Sequence, residues 1–305
     1  MSKVVDMSDA VSRAVNDGDS VYFGGFTHLI PFDAGHEIIR QERTDLTLIR
    51  ATPDLIFDQM IAAGCASSVV FSWAGNPGVG SLRCFRRAVE DEVPNPIELD
   101  EYSHFGLISR ISGGARSLPF VPLKTFLGSD YPEHNEHISF VENPFDEGMD
   151  EIPVVPPLRP DVAVVRAQRA DEEGSAQLWG ILGEIVEAAF AADTVILSVE
   201  EIVDSSVIRS DPNRTYIPGS EIDYVVEEPF GSHPSYAQGY YDRDNASYLD
   251  WDEQSMTHES TMAWLDEWVY SVENRREYLD KLSATRLLDL GPGSAYATPV
   301  DFGDY

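Results

Sequence analysis

Asp17-Gly18-Asp19-Ser20-Val21-Tyr22-Phe23-Gly24-Gly25-Phe26-Thr27-His28-Leu29-Ile30-Pro31 is the stretch whose reading decides the fold. A polar turn leads into a short buried strand, Val21 to Phe26, which breaks where the glycine pair leaves the sheet. Two missing Cβ atoms let the backbone bend sharply or let a ligand approach it closely. Amides exposed at such a break bind a phosphate or an oxyanion. A plain strand-ending turn uses the same glycines. The segments around the break therefore have to separate the two readings.

Outward from it, strands and helices alternate. Asp33 after Pro31 is the expected N-cap of a helix to about Glu42. Leu46 to Ile49 reads as a strand, Pro53 to Ala63 as a helix and Ser68 to Ser72 as a strand. Val79 to Glu92 reads as a helix, with Leu82, Phe85, Arg86 and Val89 at helical spacing. A strand around Ile97-Glu98-Leu99 and a helix from Ser103 to Ala115 complete the series. This repetition predicts an α/β fold: an open, mainly parallel sheet covered by helices.

From Leu118 to Pro160 prolines interrupt the pattern, giving an irregular Pro-rich middle with short strands such as Ile138 to Val141. Periodicity resumes with strands at Val162 to Val165, Thr194 to Val199 and Tyr224 to Val226, and a helix from Leu182 to Ala192. The loop Pro229 to Tyr248 carries Tyr236, Tyr240, Tyr241 and Tyr248, which suit either an interface or a cover over the protein's own core. A long amphipathic C-terminal helix is expected from Glu259 to Leu282. Residues 1–284 form the expected domain and 285–305 a tail.

The chain of 305 residues carries 53 acidic against 21 basic residues, a formal net charge of −32. Such a field repels nucleic acid and anionic membranes. Hydrophobic content of 43% excludes disorder as its cause. A soluble protein of a salt-rich cytoplasm fits both numbers, because high ionic strength screens the self-repulsion. No apolar run is long enough to span a bilayer, and Met1 to Asp6 lacks the order of a signal peptide. Cys65 and Cys84 read as small buried hydrophobes, and the seven histidines show no metal-ligand spacing, so no metal is expected.

Three further segments bear on chemistry. Phe71 to Gly80 leaves a strand for a helix, where open α/β sheets bind ligands. Its Asn76 either offers an amide to a carbonyl or phosphate, or closes an Asx-type turn before Pro77. In Glu98-Leu99-Asp100-Glu101-Tyr102-Ser103, alternation puts Glu101 on the apolar side with Leu99. Glu101 is either a general base or nucleophile, or the acidic opening of the next helix. In the third, Gly113-Gly114 allows close packing or ends a helix, and Lys124 is one of three lysines.

Taken in order, these motifs resemble family I coenzyme A transferases. Asp17-Gly18 with Gly24-Gly25-Phe26 is similar to their N-terminal motif. Gly75-Asn76-Pro77-Gly78 with Phe85 to Glu90, Glu98 to Tyr102, and Ala115 to Pro122 with Leu127 to Asp130 are similar to the A (alpha) subunit of the glutaconate CoA-transferase branch. The resemblance spans Asp9 to Glu228. It departs at Leu29, where the family often has glycine. It implies an obligatory B (beta) subunit, a hetero-oligomer, and a coenzyme A thioester as substrate with no permanently bound cofactor. It implies a site for acyl-CoA and a small carboxylic acid built with Gly24, Gly25, Phe26, Thr27, His28 and Asn76. The attacking glutamate of the family sits in a Ser-Glu-Asn-Gly-like motif on the B subunit, and this chain lacks that motif. One branch resembles ring-opening hydrolases of steroid-type CoA thioesters, for which Glu101 is the matching acting residue. A non-catalytic small-acid sensor on the same fold is the remaining alternative.

Overall fold

The computed structural model describes residues 2–145, 148 and 150–292. After an unanticipated helix α1 (Met7–Ala14), its first part alternates as expected: β1 (Ser20–Phe23), α2 (Phe32–Arg40), β2 (Leu46–Ile49), α3 (Leu55–Ala62), β3 (Ala66–Phe71), α4 (Arg83–Glu90), β4 (Glu98–Glu101) and α5 (His104–Ala115). The middle follows with β5 (Val121–Pro122), α6 (Tyr131–His134), β6 (Ser139–Glu142) and β7 (Glu151–Val155). Then come β8 (Val162–Ala170), β9 (Ala176–Gln177), α7 (Ile185–Ala191), β10 (Thr194–Ile202), α8 (Ser205–Ser210), β11 (Thr215–Ile217) and β12 (Tyr224–Glu227). The last part is helical: α9 (Asn245–Gln254), α10 (His258–Leu265), α11 (Arg275–Asp280) and α12 (Ala284–Asp289).

The main sheet is parallel in the order β12, β10, β8, β1, β2, β3, β4, with β9 and β11 added antiparallel beside the far end of β8. Val21, Tyr22 and Phe23 are buried on both faces, as a central parallel strand requires. One core lies under α1 to α4 and another under α5 and α7, so helices cover both sides. The expected α/β architecture is present.

Several local expectations change. Asp33 does not cap α2; Pro31 holds that position. The Asp33 carboxylate is buried instead against the guanidinium of Arg166 on β8, a charge that no backbone amide can substitute for. The helix expected from Val79 begins at Arg83, because Gly78 and Gly80 hold positive φ in a turn closed from Asn76 to Gly80. The Pro-rich middle contains a small antiparallel sheet, β5-β7-β6. Gly113 and Gly114 lie within α5 and serve close packing: a Cβ on Gly114 would sit 2.0 Å from the Leu158 carbonyl oxygen.

The long C-terminal helix is broken. Along a straight helix Trp268 and Tyr278 would stand ~15 Å apart. Their ring centroids are 5.6 Å apart, because the chain turns π-helical at Asp266–Tyr270 and restarts at Asn274. The fold-back lets Trp264 and Tyr278 both reach His36 of α2. Tyr236, Tyr241 and Tyr248 are buried, so the tyrosine-rich loop covers this chain's own core. Of the expected tail, α12 is docked by an ion pair from Arg286 to Asp244. Residues 293–305 lie outside the described residues.

Candidate functional site

From β1 the chain builds outward through β2, β3 and β4; β8 then returns to the other flank of β1, and β10 and β12 extend away from it. The winding reverses between β1 and β8, and these parallel strands end on the same side. The crevice outside that reversal is where open α/β sheets bind ligands. Gly24 and Gly25 stand there, with the Gly24 N–H donating to the Val164 carbonyl of β8 at 2.8 Å.

The two glycines meet two different constraints. A Cβ on Gly24 would lie 3.3 Å from Ile185 and from the backbone of β8. A Cβ on Gly25, whose φ is +91°, would lie 2.5 Å from the His28 carbonyl oxygen. Thr27 and Leu29 also hold positive φ, at 58° and 53°. For a β-branched threonine that is stored strain. Leu29 is buried, with its N–H bonded to the Tyr236 carbonyl. The loop thus folds inward around Leu29.

His28 is buried, not turned to solvent. Its Nε2 accepts from the Gln238 N–H at 3.0 Å, so Nδ1–H donates to the Ile181 carbonyl at 3.2 Å. Burial lowers its pKa to about 4, which keeps the ring neutral near pH 7. In this arrangement His28 anchors the loop. Phe26 and Thr27 instead face a cleft of about 240 Å³, shared with Thr52, Asp54, Trp73, Gly75, Pro77 and His104. Every one of these residues follows the carboxyl end of a strand among β1 to β4.

Beneath the cleft lies Arg50, the first residue after β2 and fully buried. Its Nη2 donates to the Gly25 carbonyl at 2.9 Å and its Nη1 to Asp54 Oδ1 at 3.1 Å. Burial raises the pKa values of Asp54 and Glu184, and the Arg50 charge opposes the rise in both. Arg50, Asp54 and His104 did not stand out in the sequence. An arginine closing an otherwise apolar strand was the available signal for Arg50, since an unpaired buried guanidinium is costly.

Asn76 is buried beside this cleft, its backbone closing the 76–80 turn. Its side-chain Oδ1 has no hydrogen-bond partner among the described residues. The Asx-type turn is therefore not formed by this side chain. Glu101 ends β4, opposite Phe71 of β3, and is exposed at the edge of the sheet. It does not open α5, which starts at His104 under a Ser103 cap. Glu101 lines a separate cavity of about 810 Å³ with Asp100, Tyr131 and His134, and the Tyr131 hydroxyl lies 3.5 Å from its Oε1. Gly24 directly follows β1 and Glu101 ends β4, strands three spacings or ~14 Å apart across the sheet. The structure thus brings Phe26, Thr27 and the Gly75 turn together and leaves Glu101 on a neighbouring cavity.

The coenzyme A transferase family model matches residues 4–228. The A subunit of 3-oxoadipate CoA-transferase from Pseudomonas knackmussii is 47% identical over 93% of this chain and 99% of its own length. The crystal structure of glutaconate coenzyme A-transferase from Acidaminococcus fermentans superposes with a TM-score of 0.92 and 33% identity, covering 96% of each chain. The cholesterol ring-cleaving hydrolase IpdA subunit of Mycobacterium tuberculosis is 26% identical over 78% of this chain and 83% of its own. On the length of these matches and the order of its strands, this chain belongs to the coenzyme A transferase family.

Proposed function

We propose that this chain is the A subunit of a two-subunit CoA transferase that moves coenzyme A between an acyl-CoA thioester and a dicarboxylic acid of about five or six carbons, with the attacking glutamate on the B subunit. The carrying observation is the Gly24-Gly25 break at the winding reversal, open to a cleft through Phe26 and Thr27. The acid class follows the similar proteins, named for 3-oxoadipate and glutaconate. Attack of the partner's carboxylate on the thioester carbon pushes the carbonyl π pair onto oxygen. Collapse expels the coenzyme A thiolate and leaves an acyl–glutamyl anhydride. The thiolate then attacks the glutamyl carbonyl, releasing the first acid and leaving a glutamyl thioester. Attack by the second acid and return of the thiolate complete the transfer.

In this reading Gly25 and Phe26 supply backbone amides while Gly24 ties the break to β8, Thr27 and Asn76 supply polar side-chain atoms, and His28 holds the loop. Coenzyme A enters as substrate, and the working unit is a hetero-oligomer in a salt-rich cytoplasm. The sensor alternative is set aside, because the similar proteins are CoA-transferase subunits. A second reading, a ring-opening CoA-thioester hydrolase using Glu101, draws on the exposed position of that carboxylate on the larger cavity. It draws also on the ring-cleaving hydrolase relatives.

Co-expression with the B subunit in high salt, followed by acyl-CoA and borohydride, separates the two. The transferase reading expects a trapped B-subunit glutamate, with Glu101→Gln activity within threefold of wild type. No trapped B-subunit glutamate, together with a Glu101→Gln variant that cannot open a ring thioester, would move the assignment to the hydrolase.

A further inference from the structure

The Gly24-Gly25 loop needs something to hold its amides in place, since neither glycine has a side chain to do so. Its ends are pinned by the Gly24 N–H on Val164 and the Leu29 N–H on Tyr236. Between them the Gly25 carbonyl points down onto the buried Nη2 of Arg50 at 2.9 Å. Across a trans peptide a carbonyl and the following N–H point in opposite directions. The Phe26 N–H is thereby directed away from the guanidinium, and Phe26 is one of the residues that line the cleft. Among the described residues that N–H makes no backbone hydrogen bond. Gly183 lies beside the same peptide: a Cβ there would come 3.3 Å from the Phe26 Cβ and 4.0 Å from its nitrogen.

We propose that Arg50 is a positioning residue of the transferase site, holding the Gly25 carbonyl from beneath so that the Phe26 N–H meets the thioester oxygen as it becomes an oxyanion. The inference rests on the transferase reading and deepens it. Asp54 fixes the other arm of the guanidinium at 3.1 Å, so the fork cannot rotate away from the loop. The carbonyl oxygen gains charge when the partner's carboxylate adds to the thioester carbon, and it loses that charge when the thiolate leaves. A donor already aimed at that place stabilises the charged state more than the bound substrate, which raises kcat and leaves KM little changed.

The test uses the purified A/B complex, with glutaryl-CoA as the thioester donor and acetate as the accepting acid. One variant is Arg50→Lys, which keeps the charge and loses the planar fork that binds Gly25 and Asp54 through separate nitrogens. The other replaces the Phe26 amide with an ester by incorporating its α-hydroxy analogue, which removes the N–H and keeps the side chain. Both are expected to lower kcat by ~10²-fold with KM changed less than threefold. Infrared difference spectra of bound carbonyl-labelled glutaryl-CoA should lose, in both, the downward shift present in the wild-type complex. That spectral readout separates positioning from a loss of folding.

An ester variant with kcat within threefold of wild type overturns the donor assignment. A weakened ester variant beside a fully active Arg50→Lys overturns the role of Arg50. Parallel loss of kcat and of thermal stability, with the spectral shift retained, reduces Arg50 to a structural ion pair and overturns the proposal. A wild-type complex that neither binds nor turns over any acyl-CoA overturns the transferase reading first, and this inference with it.

Discussion

A methyl group added at Gly25 would lie 2.5 Å from the His28 carbonyl oxygen and would oblige an alanine to hold a φ of +91°. Gly18, with a φ of +87° and nothing within 4 Å of its Cβ position, meets only the second difficulty. Gly18→Ala is therefore expected to cost ~1 kcal/mol and Gly25→Ala ~3 kcal/mol or more. Urea unfolding of the two variants measures the difference directly; equal losses would mean that the loop yields to the clash. The glycine pair was legible in the sequence because glycine announces its own conformational use. Arg50 was not, because its meaning depends on Gly25 and Asp54, and the Gly25 contact spans 25 positions in the chain. His28 was legible as part of the motif, but its inward orientation depends on Gln238, far along the chain.

At the scale of elements, the end of β12 meets the start of α2 at Glu228, where burial, reinforced by the Asp33 charge, pushes the carboxyl up to about 7. Arg275, Arg166 and Arg40 act in the other direction. The folded state then holds this proton more tightly than the unfolded chain, whose value is near 4.5. Stability from this group is complete below about 4.5, falls as pH rises through about 7, and stays lost above it. Glu228→Gln should accordingly raise stability by ~1–3 kcal/mol at alkaline pH and change it little in acid. Thermal unfolding on both sides of neutrality checks this, and a gain confined to acid would reverse the assigned sign. Elements with a clean period, such as α5, could be read from local pattern, whereas β8 was legible only over Val162 to Val165, because Arg166, Gln168 and Arg169 interrupt its apolar run. The segment from Glu259 to Leu282 could not, because its apolar residues are spaced for one helix while their common target, His36, lies on another element. Of the β5-β7-β6 sheet only β6 was legible, as the strand Ile138 to Val141, because prolines mask the other two short strands.

For the whole molecule the dominant quantity is the net charge of −32. Screening lengths fall from about 10 Å at 0.1 M salt to about 3 Å at 1 M. Both self-repulsion and repulsion of the anionic coenzyme A substrate should weaken over that range. Melting temperature and kcat/KM for acyl-CoA are both expected to rise with KCl; a fall in kcat/KM would point to attractive steering by a local cationic path. Composition made this property readable without any structure, since charge adds up regardless of fold.

The coenzyme A transferase match ends at residue 228, yet the chain does not reach a physical boundary there. Trp251 donates its indole N–H to buried Asp58 at 3.0 Å, Arg275 donates to the carbonyls of Phe230 and His233, and Gly231 lies directly over Arg166. Residues 229–292 are therefore expected to melt with the rest as one cooperative unit. A chain cut where the recognisable family stops would keep the motif and lose the protein.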